Sequence, residues 1–174
     1  MKRILCLAVA AALFLGGVVF ADQCKLINGR IGASDYLGSC TYDGTYYQFC
    51  IDAPVKGTIN GIWHYLAPPG GNSVTAFPGP PYSSLQAGWA LDVMETNRGD
   101  IYAQDNWMLN LSVFDPDVFS PNAKALIPVV TFSVITGGTG QYEGASGWIG
   151  MIFDDAGQWR GFMKGEICTP DDEE

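Results

Sequence analysis

Basic residues are scarce in this chain of 174 residues, which carries nine Lys and Arg against 18 Asp and Glu. A nucleic-acid partner is therefore not expected, because binding to phosphates requires a basic surface. Histidine occurs once, at His64, and no two cysteines have the spacing Cys-x-x-Cys. A zinc site made of these residue types is accordingly not expected, and the sequence indicates no other metal.

Familiar catalytic and cofactor motifs are also missing. No Gly-x-Ser-x-Gly segment is present, which argues against a serine hydrolase with a nucleophile elbow. The glycine-rich segment TGGTGQYEGASGW, residues 136–148, lacks both the Gly-x-Gly-x-x-Gly spacing of a dinucleotide site and the lysine of a nucleotide triphosphate loop. Apolar segments flank it on both sides, so we interpret it as a turn between two core strands and expect no cofactor.

The N-terminus has the pattern of an export signal. Lys2 and Arg3 precede the apolar run 4–20, which ends in Val19-Phe20-Ala21 with small residues at the positions that a signal peptidase reads. We predict a signal peptide at residues 1–21 and a secreted or periplasmic domain at residues 22–174, with a retained membrane anchor as the alternative. The predicted domain keeps seven basic and 18 acidic residues and ends in the acidic tail PDDEE, which we interpret as a solvated end.

Four cysteines remain after removal of the signal: Cys24, Cys40, Cys50 and Cys168. An even number in an exported chain predicts two disulfides, for which three connectivities exist. The short spacing between Cys40 and Cys50 suits a hairpin staple, which would leave Cys24 to pair with Cys168.

Short runs of aromatic and β-branched residues recur between Gly, Pro, Asn and Asp, and no long stretch keeps a period of 3.6 residues. This pattern predicts an all-β domain with strands at 45–51, 58–66, 85–95, 101–113, 125–135, 146–153 and 159–168, and an eighth between 25 and 37. TNRGD at 96–100 and DDAGQ at 154–158 predict hairpin turns. A closed antiparallel β-barrel of about eight strands would remove exposed sheet edges and is the predicted fold, with a β-sandwich as the alternative.

The glycine-rich segment also carries a family resemblance. ITGGTGQYEGASGWIGM resembles the Gly-Gly-Thr-Gly-x-aromatic-x-Gly-Ala-x-Gly signature of the allene oxide cyclase and dirigent superfamily, and GFMKGEI resembles the final strand of these proteins. The matching residues are Gly137, Gly138, Thr139, Gly140, Tyr142, Gly144, Ala145 and Gly147.

The resemblance implies an eight-stranded barrel with an apolar cavity, often in an oligomer, so a homo-oligomer is among the expectations. Plant members cyclise an unstable fatty-acid epoxide or steer the coupling of phenolic radicals. The family's catalytic residues lie outside the matched motif and are not transferred to this chain. Independently of the family, the proline-rich loop 67–84 and the shorter loop 114–128 are candidates for lids over a barrel mouth.

These observations predict a secreted barrel that binds a hydrophobic or aromatic small molecule in its cavity. Trp63, Tyr65, Trp89 and Trp107 are the candidate ligand contacts, because tryptophan and tyrosine combine a large apolar area with a polar group. One alternative is a cofactor-independent cyclase or isomerase using Asp92, Glu95, His64 and Tyr102, in which an inward carboxylate would have a raised pKa. A secreted interaction or inhibitor protein is a further alternative. Side chains alternate between the two faces of a strand, so Trp63 and Tyr65 lie on the face opposite His64, and Asp92 lies on the face opposite Glu95. This alternation does not say which face is inside the barrel.

Overall fold

The computed structural model describes residues 23–70, 74–75, 85–110, 129–155 and 160–170. Several predicted segments lie outside the described residues: the signal, the loop 114–128, most of the loop 67–84, the centre of the turn DDAGQ at 156–158, the strand ends 111–113 and 125–128, and the acidic residues 171–174. The strands are β1 (Gln23–Ile31), β2 (Asp35–Tyr42), β3 (Thr45–Gly57), β4 (Gly61–Ala67), β5 (Val74–Thr75), β6 (Leu85–Thr96), β7 (Gly99–Asn110), β8 (Val129–Gly138), β9 (Ser146–Asp155) and β10 (Arg160–Thr169). No helix in these stretches is long and apolar enough to cross a bilayer.

Eight of the strands form a closed antiparallel barrel. Their order is β1-β10-β9-β8-β7-β6-β4-β3, and β3 pairs back with β1 through the register Gly29↔Gly57 to Ile31↔Val55. Closure leaves no free edge around the ring, which is the physical advantage that favours a barrel over an open sheet. The predicted barrel is therefore confirmed, and the β-sandwich alternative is wrong.

The N-terminal region differs from the expected single strand at residues 25–37. Two strands occur there, and both lie along the same edge of β3: β1 pairs with residues 55–57 and β2 with residues 45–52. Gly32, between them, donates its N–H to the backbone oxygen of Pro54 at 2.8 Å. The strand predicted to begin at residue 58 begins at residue 61 instead, because residues 58–60 form the β3–β4 turn. In this turn the Asn60 side chain accepts from Gly57 N–H and donates to Gly57 O.

Two disulfides hold the N-terminal strands. Cys40–Cys50 joins β2 to β3 within one hairpin. Cys24–Cys168 joins β1 to β10 at positions that face each other in the ladder. The connectivity that the short spacing favoured is confirmed, and both bridges are of the kind found in oxidising compartments.

Alternation along the strands directs apolar side chains into the barrel. Trp63, Ile149, Met151, Phe153 and Met163 are each at most 1% exposed, and the rings of Trp63 and Phe153 stack at 5.6 Å. Burying one such side chain stabilises the fold by about 2 kcal/mol. The inward face carries a polar cluster as well, which is described below.

The glycine-rich segment is a tight turn between neighbouring strands β8 and β9, as predicted. It contains a single 3₁₀ turn, Gly140–Tyr142, and buries Tyr142. It packs against the β6–β7 turn, since Thr139 N–H donates to Asp100 O at 2.8 Å and Gln141 N–H to Arg98 O at 3.0 Å. A methyl group at Gly140 would overlap the backbone around Arg98, so glycine allows the two turns to meet.

One outer wall of the barrel is apolar. Large exposed side chains occupy adjacent outward positions on β8, β9 and β10: Val130, Phe132, Val134, Trp148, Ile152 and Phe162. The rings of Phe132 and Trp148 stack at 5.8 Å. Apolar faces of this kind mark interaction surfaces. The expected homo-oligomer stays a prediction.

Candidate functional site

The two faces of β4 and β6 divide the predicted site residues into an inner and an outer group. Trp63 and Tyr65 on β4 point into the barrel, as does Asp92 on β6. Consecutive residues of a strand point to opposite sides, so His64 and Glu95 are on the outer face. The alternation of side chains along each strand predicted these two groups, whereas only the closed sheet shows which group is inside the barrel.

Two aspartates form the centre of the inner group. Asp92 on β6 is 1% exposed and Asp105 on β7 is fully buried. The indole N–H of Trp63 donates to Asp92 Oδ1 at 2.9 Å. Ser133 on β8 lies between the carboxyl groups, with its Oγ 2.7 Å from Asp92 Oδ2 and 3.2 Å from Asp105 Oδ1.

The Ser133 hydroxyl links the two carboxyl groups. A hydroxyl carries only one hydrogen, so Ser133 can donate to only one of them at a time. Burial raises the pKa of Asp92 well above its usual range, and the nearby Asp105 raises it further. The hydrogen bonds from the Ser133 hydroxyl and the Trp63 indole lower the pKa of Asp92 and so offset part of this rise.

Burial also raises the pKa of Asp105, from 3.8 to about 6. Hydroxyls of Ser133 and Thr131 and the backbone N–H of Asn106 offset part of this rise by favouring the charged form. The Thr131 hydroxyl is near enough for this effect but has no hydrogen bond of acceptable geometry. The pair is thus suited to hold one proton and one negative charge near neutral pH.

Among the residues that the structure describes, three buried polar atoms beside the pair have no hydrogen bond of good geometry: Asp105 Oδ2, Trp107 Nε1 and Thr131 Oγ1. They belong to one neighbourhood, because Trp107 and Thr131 face each other across β7 and β8, and Asp105 is the next inward residue from Trp107. Protein groups lie near two of these atoms, because side-chain hydrogen bonds from Thr131 and Trp107 lower the pKa values of Asp105 and Tyr65 respectively. An unpaired buried polar group costs about 1–3 kcal/mol, so hydrogen-bonding capacity that is not fully used here marks a candidate site for a polar ligand group.

Aromatic side chains surround this unsatisfied cluster. Tyr65 is 9% exposed, and burial together with the charges of Asp105 and Asp92 raises the pKa of its phenol, so the hydroxyl remains protonated. Phe49 meets Tyr65 edge-on at 5.9 Å between ring centroids. Both Phe49 and Trp107 are partly buried and pack against the core. The cluster therefore combines a charged centre with apolar walls.

The outer group lies on the opposite side of the same strands. His64 Nδ1 is 2.8 Å from Asp52 Oδ1, and His64 Nε2 is 3.3 Å from Glu95 Oε2. Tyr42 of β2 covers the imidazole, with ring centroids 5.2 Å apart. Tyr102 is 38% exposed on the outer face of β7, and Trp89 is 43% exposed on that of β6.

The predicted residues thus separate into sets that the barrel wall keeps apart. Asp92, Trp63, Tyr65 and Trp107 meet inside, whereas His64, Glu95, Tyr102 and Trp89 lie outside. Sequence reasoning missed Asp105, Thr131 and Ser133. A signal for them exists, because Asp105 alternates with Ile101, Ala103 and Trp107, and a polar residue on an otherwise apolar strand face indicates a buried site.

Residues of the glycine-rich motif contribute structure here. Gly137 and Gly138 end β8, Thr139 and Gly140 hold the turn to the neighbouring hairpin, and Gly147 lies in β9. In the part of the chain that the structure describes, the group with a metal-ligating arrangement is Cys24, Glu166 and Cys168. Its two sulfurs are joined in a disulfide, so they are not available as thiolate ligands.

A pH-dependent stability is expected from Asp105. Its pKa in the folded protein, about 6, exceeds that of an unfolded aspartate, so the folded state binds more protons between about pH 4 and pH 6. This contribution to stability is complete below pH 4 and is lost as the pH rises through 6, a change of about 3 kcal/mol. Asp105→Asn carries no titrating proton, so its stability relative to the wild type should rise over this window.

The measurement is urea unfolding of both proteins from pH 4 to pH 8. Ser133→Ala serves as a second variant, because loss of a hydroxyl that favours the charged carboxylate should extend the decline to higher pH. A difference between Asp105→Asn and the wild type that stays constant with pH would contradict the raised pKa.

Comparison with known proteins does not identify the chain. No family model matches it, and no curated protein matches it significantly. Membership of the allene oxide cyclase and dirigent superfamily therefore stays a prediction based on the motif at residues 137–147.

Proposed function

We propose that this protein binds a hydrophobic or aromatic small molecule inside its barrel, with one polar group of the ligand facing the Asp92–Asp105 pair. The observation that carries the proposal is the set of unpartnered atoms Asp105 Oδ2, Trp107 Nε1 and Thr131 Oγ1. A ligand hydroxyl fits this set because it can donate to the carboxylate and accept from the indole or threonine. Small-molecule sites commonly combine apolar walls with a few such convergent polar groups.

The rest of the ligand would contact aromatic rings. Phe49, Tyr65 and Trp107 surround the polar cluster, and all three offer flat apolar faces. We further propose that the protein works after export, since the N-terminal pattern is that of a secretory signal and the two disulfides suit an oxidising compartment. An acidic, disulfide-bonded barrel in that location would carry or sequester its ligand outside the cytoplasm.

The test compares 1-naphthol with naphthalene, which differ by one hydroxyl, using isothermal titration calorimetry or equilibrium dialysis. We expect the wild type to prefer 1-naphthol by at least about tenfold, because the hydroxyl pairs a buried charged group. Asp105→Asn should remove most of this preference, and Thr131→Val should reduce it with little change in shape. Glu95→Gln is the control, since Glu95 lies outside the barrel and the preference should persist. Equal affinity for both probes in the wild type would overturn the proposal.

A second candidate function is a cofactor-independent cyclase or isomerase. It is favoured by the raised pKa values of two adjacent carboxyl groups, which can give and take a proton near neutral pH. The ionised Asp105 would accept a proton from one atom of the substrate and return it to another, while Asp92 stays hydrogen-bonded to Trp63 and Ser133. The net change is an isomerisation that needs no oxidant.

Incubation with an unsaturated fatty-acid epoxide, followed by chiral analysis of the products, distinguishes catalysis from binding. The enzyme hypothesis expects enantiomeric excess and a rate that depends on pH near 6, both lost in Asp105→Asn. Racemic products formed at the uncatalysed rate would rule out this reaction and would leave the binding proposal intact.

A further inference from the structure

A groove lies outside the barrel, beneath the hairpin that β2 and β3 form. The hairpin turns at Asp43 and Gly44, which both have positive φ angles, 46° and 74°. Such angles are typical of a two-residue hairpin turn that follows the twist of the strands. The Cys40–Cys50 bridge holds the two arms of the hairpin together.

The hairpin folds against the outer face of the barrel. Tyr47 and Cys50 pack against Leu66 of β4 and Val93 of β6 in a small apolar cluster. Between the hairpin and the wall, a half-open groove of about 540 Å³ remains. This volume is within the range of small-molecule sites, about 300–1,000 Å³.

The groove has an apolar floor, aromatic walls and acidic groups. Leu66, Leu91 and Val93 form part of the floor, and Tyr42, Tyr47 and Tyr102 supply rings. Asp43 and Asp100 are its outward-facing carboxylates; Asp92 also borders the groove, but its carboxyl group points into the barrel. None of the described residues lining the groove is a lysine or arginine, and neither carboxylate has an ion-pair partner among the described residues.

The electrostatic potential in the groove is negative. Burial, together with the charges of Asp100, Glu95, Tyr102 and Asp43, raises the pKa of the Tyr42 phenol to about 12. A phenol surrounded in this way remains protonated, because its ionised form would add a negative charge to an acidic site. The same field attracts a positive charge.

We propose that this groove binds a small organic cation, an ammonium group attached to a compact apolar or aromatic body. The ammonium would lie between Asp43 and Asp100 and over the tyrosine rings, where carboxylate attraction and cation–π contacts act together. The apolar body would cover Leu66, Leu91 and Val93. The groove and the inner cluster therefore differ in the ligand that we propose for them. The acidic, half-open groove suits a cation, whereas the polar atoms of the inner cluster suit a ligand hydroxyl.

The test uses 2-phenylethylamine, which is a cation at pH 7, and 2-phenylethanol, its neutral counterpart, in calorimetric titrations of the wild type. We expect the amine to bind at least about fivefold more tightly, and the difference to shrink as salt rises from 20 to 500 mM. Asp100→Asn should weaken amine binding about three- to tenfold and leave binding of the alcohol unchanged.

Two variants complete the design. Glu166→Gln removes one negative charge on β10, on the far side of the barrel, and should leave amine binding unchanged. Tyr102→Phe keeps the ring and should retain binding, whereas Tyr102→Leu should weaken it; circular dichroism verifies that each variant is folded. Equal binding of amine and alcohol, or equal losses in Asp100→Asn and Glu166→Gln, would overturn the proposal. Binding of a lysine pentapeptide but not of the amine would also overturn it, in favour of a protein partner.

Discussion

Replacing both Cys24 and Cys168 by serine is expected to lower the free energy of unfolding by about 5 kcal/mol. The bridge spans a sequence separation of 144 residues, and its removal releases the entropy of a loop that includes almost the whole domain. Urea denaturation of the oxidised proteins measures the loss. A domain of this kind has a total stability of about 5–15 kcal/mol, so the variant should be close to unfolding.

The second bridge provides a matched control. Cys40–Cys50 spans 10 residues, and the same relation predicts a loss of about 3 kcal/mol when both cysteines become serine. The difference between the two variants therefore measures the effect of loop length. If the Cys40–Cys50 variant were the less stable of the two, the account based on loop closure would be wrong.

The long bridge should also control barrel closure. β1 pairs with β10 over nine positions but with β3 over only three, so the β1–β3 junction is short. Without the bridge, β1 should detach more often and open the barrel there. Hydrogen exchange followed by mass spectrometry should show faster exchange in residues 23–31 and little change in β6 and β7.

Gly147→Ala is expected to destabilise the protein by about 3 kcal/mol. Gly147 has a φ of 130°, a conformation that side chains rarely adopt, and a methyl group there would overlap the backbone oxygen of Glu166 on β10. Backbone strain of this type costs about 1–3 kcal/mol, and the steric overlap adds to it. Thermal unfolding should show a melting temperature lower by about 10 °C.

Gly150→Ala, in the same strand, is the control. Its nearest neighbour to an added methyl group is 3.7 Å away, an ordinary van der Waals distance, and its φ is not positive. We expect its stability to remain within about 1 kcal/mol of the wild type, since alanine also restricts the unfolded chain. Equal effects of the two substitutions would show that Gly147 is not a conformational requirement.

Much of the fold could be predicted from local patterns. Alternating apolar residues and recognisable turn sequences indicated an all-β chain. In the turn Thr96–Gly99, for example, the Thr96 hydroxyl accepts from Arg98 N–H and donates to Gly99 O. The division of residues 23–42 into two strands could not be predicted, because it depends on pairing with β3, which is distant in sequence from β1. The start of β4 differs from the predicted residue because the Asn60 side chain forms hydrogen bonds with the backbone N–H and oxygen of Gly57, which makes residues 58–60 a turn.

The candidate site was predictable only in part. Asp92, Trp63, Tyr65 and Trp107 were singled out for their chemistry, and the structure brings them together. Asp105 and Ser133 were missed because each is an ordinary polar residue in the sequence. Only the pairing of β7 and β8 next to β6 brings them to Asp92. His64 and Glu95 were grouped with Asp92 by residue type, although alternation along β4 and β6 assigns them to the outer face.

The sequence by itself determined which residues share a face, where the chain turns and which cysteines are near in the chain, because these properties depend on alternation and on glycine and asparagine chemistry over a few residues. Only the tertiary structure decided which face is inside and which carboxyl groups meet. Those outcomes depend on closure of the sheet by β1 and β3, which brings residues from distant strands into one interior with a low dielectric constant. There, burial raises the pKa values of two neighbouring aspartates, and three polar atoms of the described residues lack a hydrogen bond of good geometry.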